Sequence, residues 1–189
     1  MDIFEYVAVL TSIIIGLGIA HLLHGLARVV QHPGRERLYW VHLTWVAYMF
    51  LTAVFWWWWE FNLGDVEIWT FQLYLFVILY AVNIFLLCAL LFPDDLRGYD
   101  GYKGYFYSRR RWFFGLQTLS YLVDYFDSWL KGPEHMAELG TEYLVMSPLQ
   151  VILLVAAMAT DDERYHQFLA VALLAYQLSW AFRLFEFMS

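Results

Sequence analysis

Six stretches of this chain, 6–30, 38–61, 68–92, 112–130, 143–160 and 165–188, each approach or exceed the length needed to cross a bilayer. A hydrocarbon core about 30 Å thick needs roughly 20 consecutive, mostly apolar residues in a helix. The bulk composition agrees: 62% of the 189 residues are hydrophobic, 21% aromatic and 15% charged, which is more apolar than a soluble domain of this size carries. The expected fold is therefore all-α, a polytopic bundle of six transmembrane helices that makes a single transmembrane domain of residues 1–189. Connections of about 5 to 20 residues leave no room for a second, soluble domain.

A net charge of -7 excludes nucleic-acid binding, which needs a basic face. The lone cysteine, Cys88, excludes an intrachain disulfide and a multi-cysteine metal site, and inside the third run it reads as a small apolar residue. Met1-Asp2-Ile3-Phe4-Glu5 lacks the basic segment of a cleaved signal peptide, so the first span is expected to stay in the mature protein.

Basic residues set orientation. Arg28, Arg35 and Arg37 flank the first connection; Arg97, Lys103 and Arg109-Arg110-Arg111 fill the third; Arg164 lies in the fifth. The second connection has none. Six spans thus place nine of the eleven basic residues inside, leaving Lys131 and Arg183 outside, with both termini outside an inner (cytoplasmic) membrane. Trp40 and Trp57, like Trp112 and Trp129, are 17 residues apart. That is about 25 Å along a helix, close to the spacing of two interfacial aromatic belts. The run Trp56-Trp57-Trp58-Trp59 reads as anchoring, because consecutive residues point in different directions around a helix.

The fourth run, 112–130, has an alternative. Gln117, Ser120, Asp124, Asp127 and Lys131 line one face, which fits a spanning helix whose polar stripe looks into the bundle. It also fits an amphipathic helix lying at the surface, giving five spans plus one interfacial helix. The flat arrangement places ten of the eleven basic residues inside, so charge does not choose between them. In the fifth run, Pro148 reads as a residue within a helix that begins near Glu142, since 148–160 is too short to span. Gly16, Gly18, Ala20 and Gly25 in the first run are small residues that let another backbone approach closely.

Ionisable groups inside a membrane are costly and mark candidate sites. Asp124, Asp127, Glu60, Glu186 and Glu5 fall in or at the edge of the outer leaflet of a six-span bundle. Converging carboxylates there would bind a cation, or hold a proton because desolvation disfavours their charged form. Their structural alternative is snorkelling of the glutamates and pairing of Asp127 with Lys131. His21 and His24 share a face of the first helix, and the short 31–37 turn brings His42 to a similar depth. Three imidazoles there would ligate a metal or haem, or relay protons, unless they simply bond between helices.

The connection 93–111 carries Tyr99, Tyr102 and Tyr105, each after a glycine, followed by Arg109, Arg110 and Arg111. It reads as an interfacial loop, and its functional version would dock anionic lipid or a partner. Gln72, Asn83, Gln150 and Gln177 suit hydrogen bonds between helices. No phosphate-binding loop, nucleophile elbow or catalytic triad pattern is present.

These residues point to an integral inner-membrane protein that binds or translocates a small cation or proton through its outer carboxylates, with an enzymatic role the less favoured expectation. One alternative is an accessory or scaffold subunit of a larger membrane complex, and another a haem- or metal-binding redox protein using the histidines. No cofactor is required by the sequence. The expected partners are the bilayer, a second copy of the chain or other members of a complex.

Overall fold

The computed structural model describes residues 3–60, 69–130 and 139–186, without the side chains of 57, 59, 60, 126, 127, 129, 130 and 184–186. It is all-α over those residues: α1 (Ile3–Gln31), α2 (Trp40–Glu60), α3 (Phe71–Ala89), α4 (Gly101–Leu130), α5 (Gly140–Ala159) and α6 (Glu163–Glu186). Among the described residues, three helices, α1, α3 and α5, are long and apolar enough to cross a membrane, and α2 has a shorter apolar stretch, Trp40–Trp56. Two compact units result, Met1–Phe106 with Ala170–Ser189, and Tyr107–Leu169.

In the first unit α1 packs chiefly against α3, with α2 against both. Val7, Thr11, Ile15, Gly18, Leu22 and Gly25 are the buried residues of α1, a three-four spacing that keeps one stripe facing its neighbours. Small residues hold this contact. A Cβ added at Gly18 would touch Cys88 and the Phe85 backbone at 3.5 Å, whereas one at Gly25 would overlap the Phe92 ring. Gly16 faces open space, so of the glycines in the first run only Gly18 and Gly25 are needed for close approach. Gly25→Ala should therefore cost about 1–3 kcal/mol of stability by overpacking. Pairing it with Phe92→Leu should recover part of that loss, read as a positive coupling in a double-mutant cycle of unfolding midpoints.

The largest departure from the sequence reading is α4. It starts at Gly101, so most of the stretch read as an interfacial loop over 93–111 is helix. Tyr102, Tyr105, Phe106, Phe113 and Phe114 are buried at a helical three-four spacing that continues into Gln117 and Thr118. Glycines and arginines between them masked that period. Gly101 begins the helix with φ +61°, and the next amide, Tyr102 N–H, donates to the Arg37 carbonyl at 3.0 Å. Arg37 also pairs with Asp100 at 2.9 Å, so the two turns that follow α1 and α3 are tied together.

In the second unit α5 runs continuously through Pro148 and buries Ser147, Gln150, Leu154 and Ala157 on one face. The helix start at Gly140 agrees with a helix that begins near Glu142 rather than at Pro148. Gly115 of α4 leaves ordinary contact distance, 3.6 Å, for the Met158 methyl.

Candidate functional site

A helix leaves its last carbonyls without intrahelical partners, and a buried orphan carbonyl costs free energy. After α3 the chain meets this demand with side chains. Four consecutive carbonyls each accept one hydrogen bond. Leu90 receives Tyr105 Oη–H at 2.9 Å, and Leu91 receives His42 Nε2 at 2.6 Å. Phe92 receives His21 Nε2 at 2.8 Å, and Pro93 receives the Arg28 guanidinium at 3.3 Å. A cation at this position also faces the negative end of the α3 dipole.

His42 is the centre of this arrangement. It is 1% exposed, stacks on Tyr102 with ring centroids 4.7 Å apart, and meets the Phe92 edge at 5.3 Å. Because a carbonyl oxygen can only accept, both His21 and His42 must carry a proton on Nε2. Each ring then keeps only Nδ1 for another partner, and His42 Nδ1 is buried with no hydrogen-bond partner. His24 is exposed on α1. The structure thus brings His21 and His42 to neighbouring carbonyls, with His24 turned out. Among the described residues no group of three or more His, Cys, Asp or Glu is placed to hold a metal ion.

Of the five carboxylates, Asp124 has a defined set of partners. Tyr143 Oη–H donates to Asp124 Oδ2 at 2.8 Å. With the phenol proton on that bond, the Ser128 hydroxyl donates to Tyr143 Oη at 3.1 Å. Asp124 and Ser128 are one turn apart on α4, and Tyr143 opens the buried face of α5. Further along those faces lie Ser147, Gln150, Gln117 and Thr118, all buried. Thr118 bonds back to the Phe114 carbonyl at 2.7 Å, while Gln117 Oε1 is buried without a partner. The Asp127, Glu60 and Glu186 side chains lie outside the described residues, and Glu5 is exposed at the start of α1.

The tyrosines and arginines read as a docking loop are distributed differently from that reading. Tyr99 lies in the turn before α4 with its ring 5.4 Å from Tyr105. Tyr102 and Tyr105 are buried, and burial pushes the Tyr102 phenol above its ordinary pKa, with Arg28 lowering it and Glu36 raising it. They hold the first turns of α4 within the first unit, because tyrosine buries a large ring and still offers a hydroxyl. Arg110 is paired with Asp161 at 2.6 Å and is largely buried, whereas Arg109 and Arg111 are exposed.

Sequence reasoning missed three of the residues that matter most. Tyr143 and Ser147 stand with Gln150 at positions i, i+4 and i+7 of the fifth run, a polar stripe visible in the sequence but read only at Gln150. His166, fully buried, bonds the Thr160 carbonyl at 3.0 Å and stacks on Phe114 at 5.6 Å. Nothing local marks it, since its partners come from the end of α5 and the middle of α4. Comparison of the chain with protein-family models, curated proteins and solved structures gives no match.

Proposed function

We propose that this chain is a multi-pass membrane protein, with all six helices crossing the bilayer, that holds a proton or small cation at Asp124. The observation that carries the reading is the inverted amphipathicity of α4. Gln117, Thr118 and Ser128 are buried, whereas Trp112, Leu119 and Leu122 are 67%, 48% and 50% exposed. A surface-lying amphipathic helix turns its polar face to water. A helix with polar residues inside and large apolar residues outside suits lipid, and this favours spanning over the interfacial alternative. The same inversion holds on α5, where Ser147 and Gln150 are buried and Val145, Ile152 and Val155 are 58%, 65% and 50% exposed.

Inside such a face Asp124 is an ionisable group that accepts from the Tyr143 hydroxyl, which is itself bonded to Ser128. A carboxylate part-buried among polar side chains in a membrane is costly to keep charged, so it takes up a proton or a small cation. The polar line gives way to Phe114, Gly115, Leu154 and Met158 along the helix pair, which suits a binding position reached from one side. Asp124→Asn keeps the shape and removes the titrating group. In liposomes it should abolish proton or cation uptake while the protein still elutes as a folded species, and Tyr143→Phe should reduce uptake without abolishing it. Wild-type uptake by Asp124→Asn would remove the proposal.

A second reading, an accessory subunit of a membrane complex, is favoured by a separate observation. Arg28, His21, His42 and Tyr105 are all spent on main-chain carbonyls. These hydrogen bonds are then structural. A partner chain retained in mild detergent, with no uptake by the isolated chain, would select this reading.

A further inference from the structure

A cavity of about 150 Å³ opens between the turn after α1 and the turn after α3, lined by residues that include Arg28, His32, Arg35, Glu36, Asp94 and Tyr102. It is far smaller than the roughly 300–1,000 Å³ that drug-sized ligands occupy, so it takes a group of headgroup size. Its charges are of both signs, and several are spoken for by neighbours. Asp95 is closed off by Arg97, with 3.1 Å between carboxylate and guanidinium, and Arg37 is held by Asp100 at 2.9 Å. Arg28 is anchored by its bond to the Pro93 carbonyl, leaving its Nε buried without a partner. Arg35, Glu36 and Asp94 make no side-chain hydrogen bond or ion pair among the described residues.

Two guanidiniums and two carboxylates around one small cavity disfavour any simple ion. An anion would sit beside the like charges of Glu36 and Asp94, and a cation beside those of Arg28 and Arg35, so each simple ion meets repulsion along with attraction. A zwitterion satisfies both. We propose that this cavity binds a phosphate–primary-ammonium zwitterion of the phosphoethanolamine type. Arg28 and Arg35 take the phosphate, since guanidinium forks match phosphate oxygens, while Glu36 and Asp94 accept from the ammonium. A primary ammonium offers three N–H donors, whereas a trimethylated one offers none and is bulkier. The cavity flanks the last turn of the first apolar run, where headgroups meet a spanning helix. A lipid headgroup and the free zwitterion therefore share the same chemistry. The placement at the headgroup level rests on the membrane reading, but nothing in it depends on Asp124.

The test is titration of the detergent-purified chain with dihexanoyl phosphatidylethanolamine, phosphatidylglycerol and phosphatidylcholine, and with free phosphoethanolamine, read by native mass spectrometry. Phosphatidylethanolamine should bind about tenfold more tightly than the other two lipids, the factor expected for one charge-assisted hydrogen bond. Arg35→Gln should weaken it about tenfold, and Asp94→Asn should erase its advantage over phosphatidylglycerol. Both residues are exposed, so neither change threatens folding. Displacement by free phosphoethanolamine assigns the soluble zwitterion as sufficient, and displacement by the acylated form alone assigns the lipid. Equal binding of all three lipids, preference for phosphatidylglycerol, or an unaltered preference in Asp94→Asn overturns the proposal.

Discussion

His42→Leu should lower the stability of the detergent-solubilised protein by about 2–4 kcal/mol, whereas His42→Gln should lose no more than about 1 kcal/mol. Leucine fills most of the ring's volume but leaves the Leu91 carbonyl without its donor in a site that is 1% exposed at His42. An orphaned buried acceptor costs about 1–3 kcal/mol, and loss of the stack on Tyr102 adds about 0.5–1.5 kcal/mol. Glutamine places an amide N–H close to the position of Nε2, so it keeps the bond and forfeits only the ring contacts. The ordering of unfolding midpoints, wild type above Gln above Leu, is the measurement. A ligand role for His42 predicts a different pattern, with Gln and Leu equally deficient in bound metal or haem and little altered in stability. Equal stability of all three proteins would show that the carbonyl bond contributes nothing.

Gly101→Ala should cost about 3 kcal/mol, against about 1 kcal/mol for Gly34→Ala. Both glycines have positive φ, +61° and +84°, so an alanine pays the left-handed penalty at either. They differ in what the new Cβ meets. At Gly34 there is nothing within 4 Å, while at Gly101 the Arg37 carbonyl oxygen would lie 2.6 Å away. That obstacle is backbone and cannot rotate aside, and it is the acceptor for Tyr102 N–H. Relief requires the turn after α1 to separate from the start of α4, which also moves Tyr102 off His42. Circular dichroism melts of the two variants, compared at equal detergent concentration, read the difference directly. Equal melting of both would mean that the clamp at Arg37 is dispensable.

How far the sequence reached differs between the elements. Long apolar runs specify helices because lipid-like burial and backbone satisfaction act on every residue of a run, so the six helices among the described residues stand where a run was read. Their ends were less legible. The start of α4 was displaced by ten or so residues because the glycines disfavour a helix and the arginines interrupt the apolar period, and the helix start at Gly101 is fixed by the bond from Tyr102 N–H to the Arg37 carbonyl. The histidines were visible as a group, but not their partners, since spacing gives depth along a helix and not the direction of a ring nitrogen. His21 and His42 turned to main-chain carbonyls because α3 ends there and its carbonyls needed donors. Asp124 was legible as a deep carboxylate with a short side chain. Tyr143, its donor, comes from α5, and only packing joins the two. What the sequence by itself determined was the helical class, the apolar length of α1, α3 and α5, and the set of groups too costly to bury alone. Which of those groups satisfy one another was decided by the tertiary structure, because a hydrogen bond needs two atoms within about 3 Å and no one-dimensional pattern carries that distance.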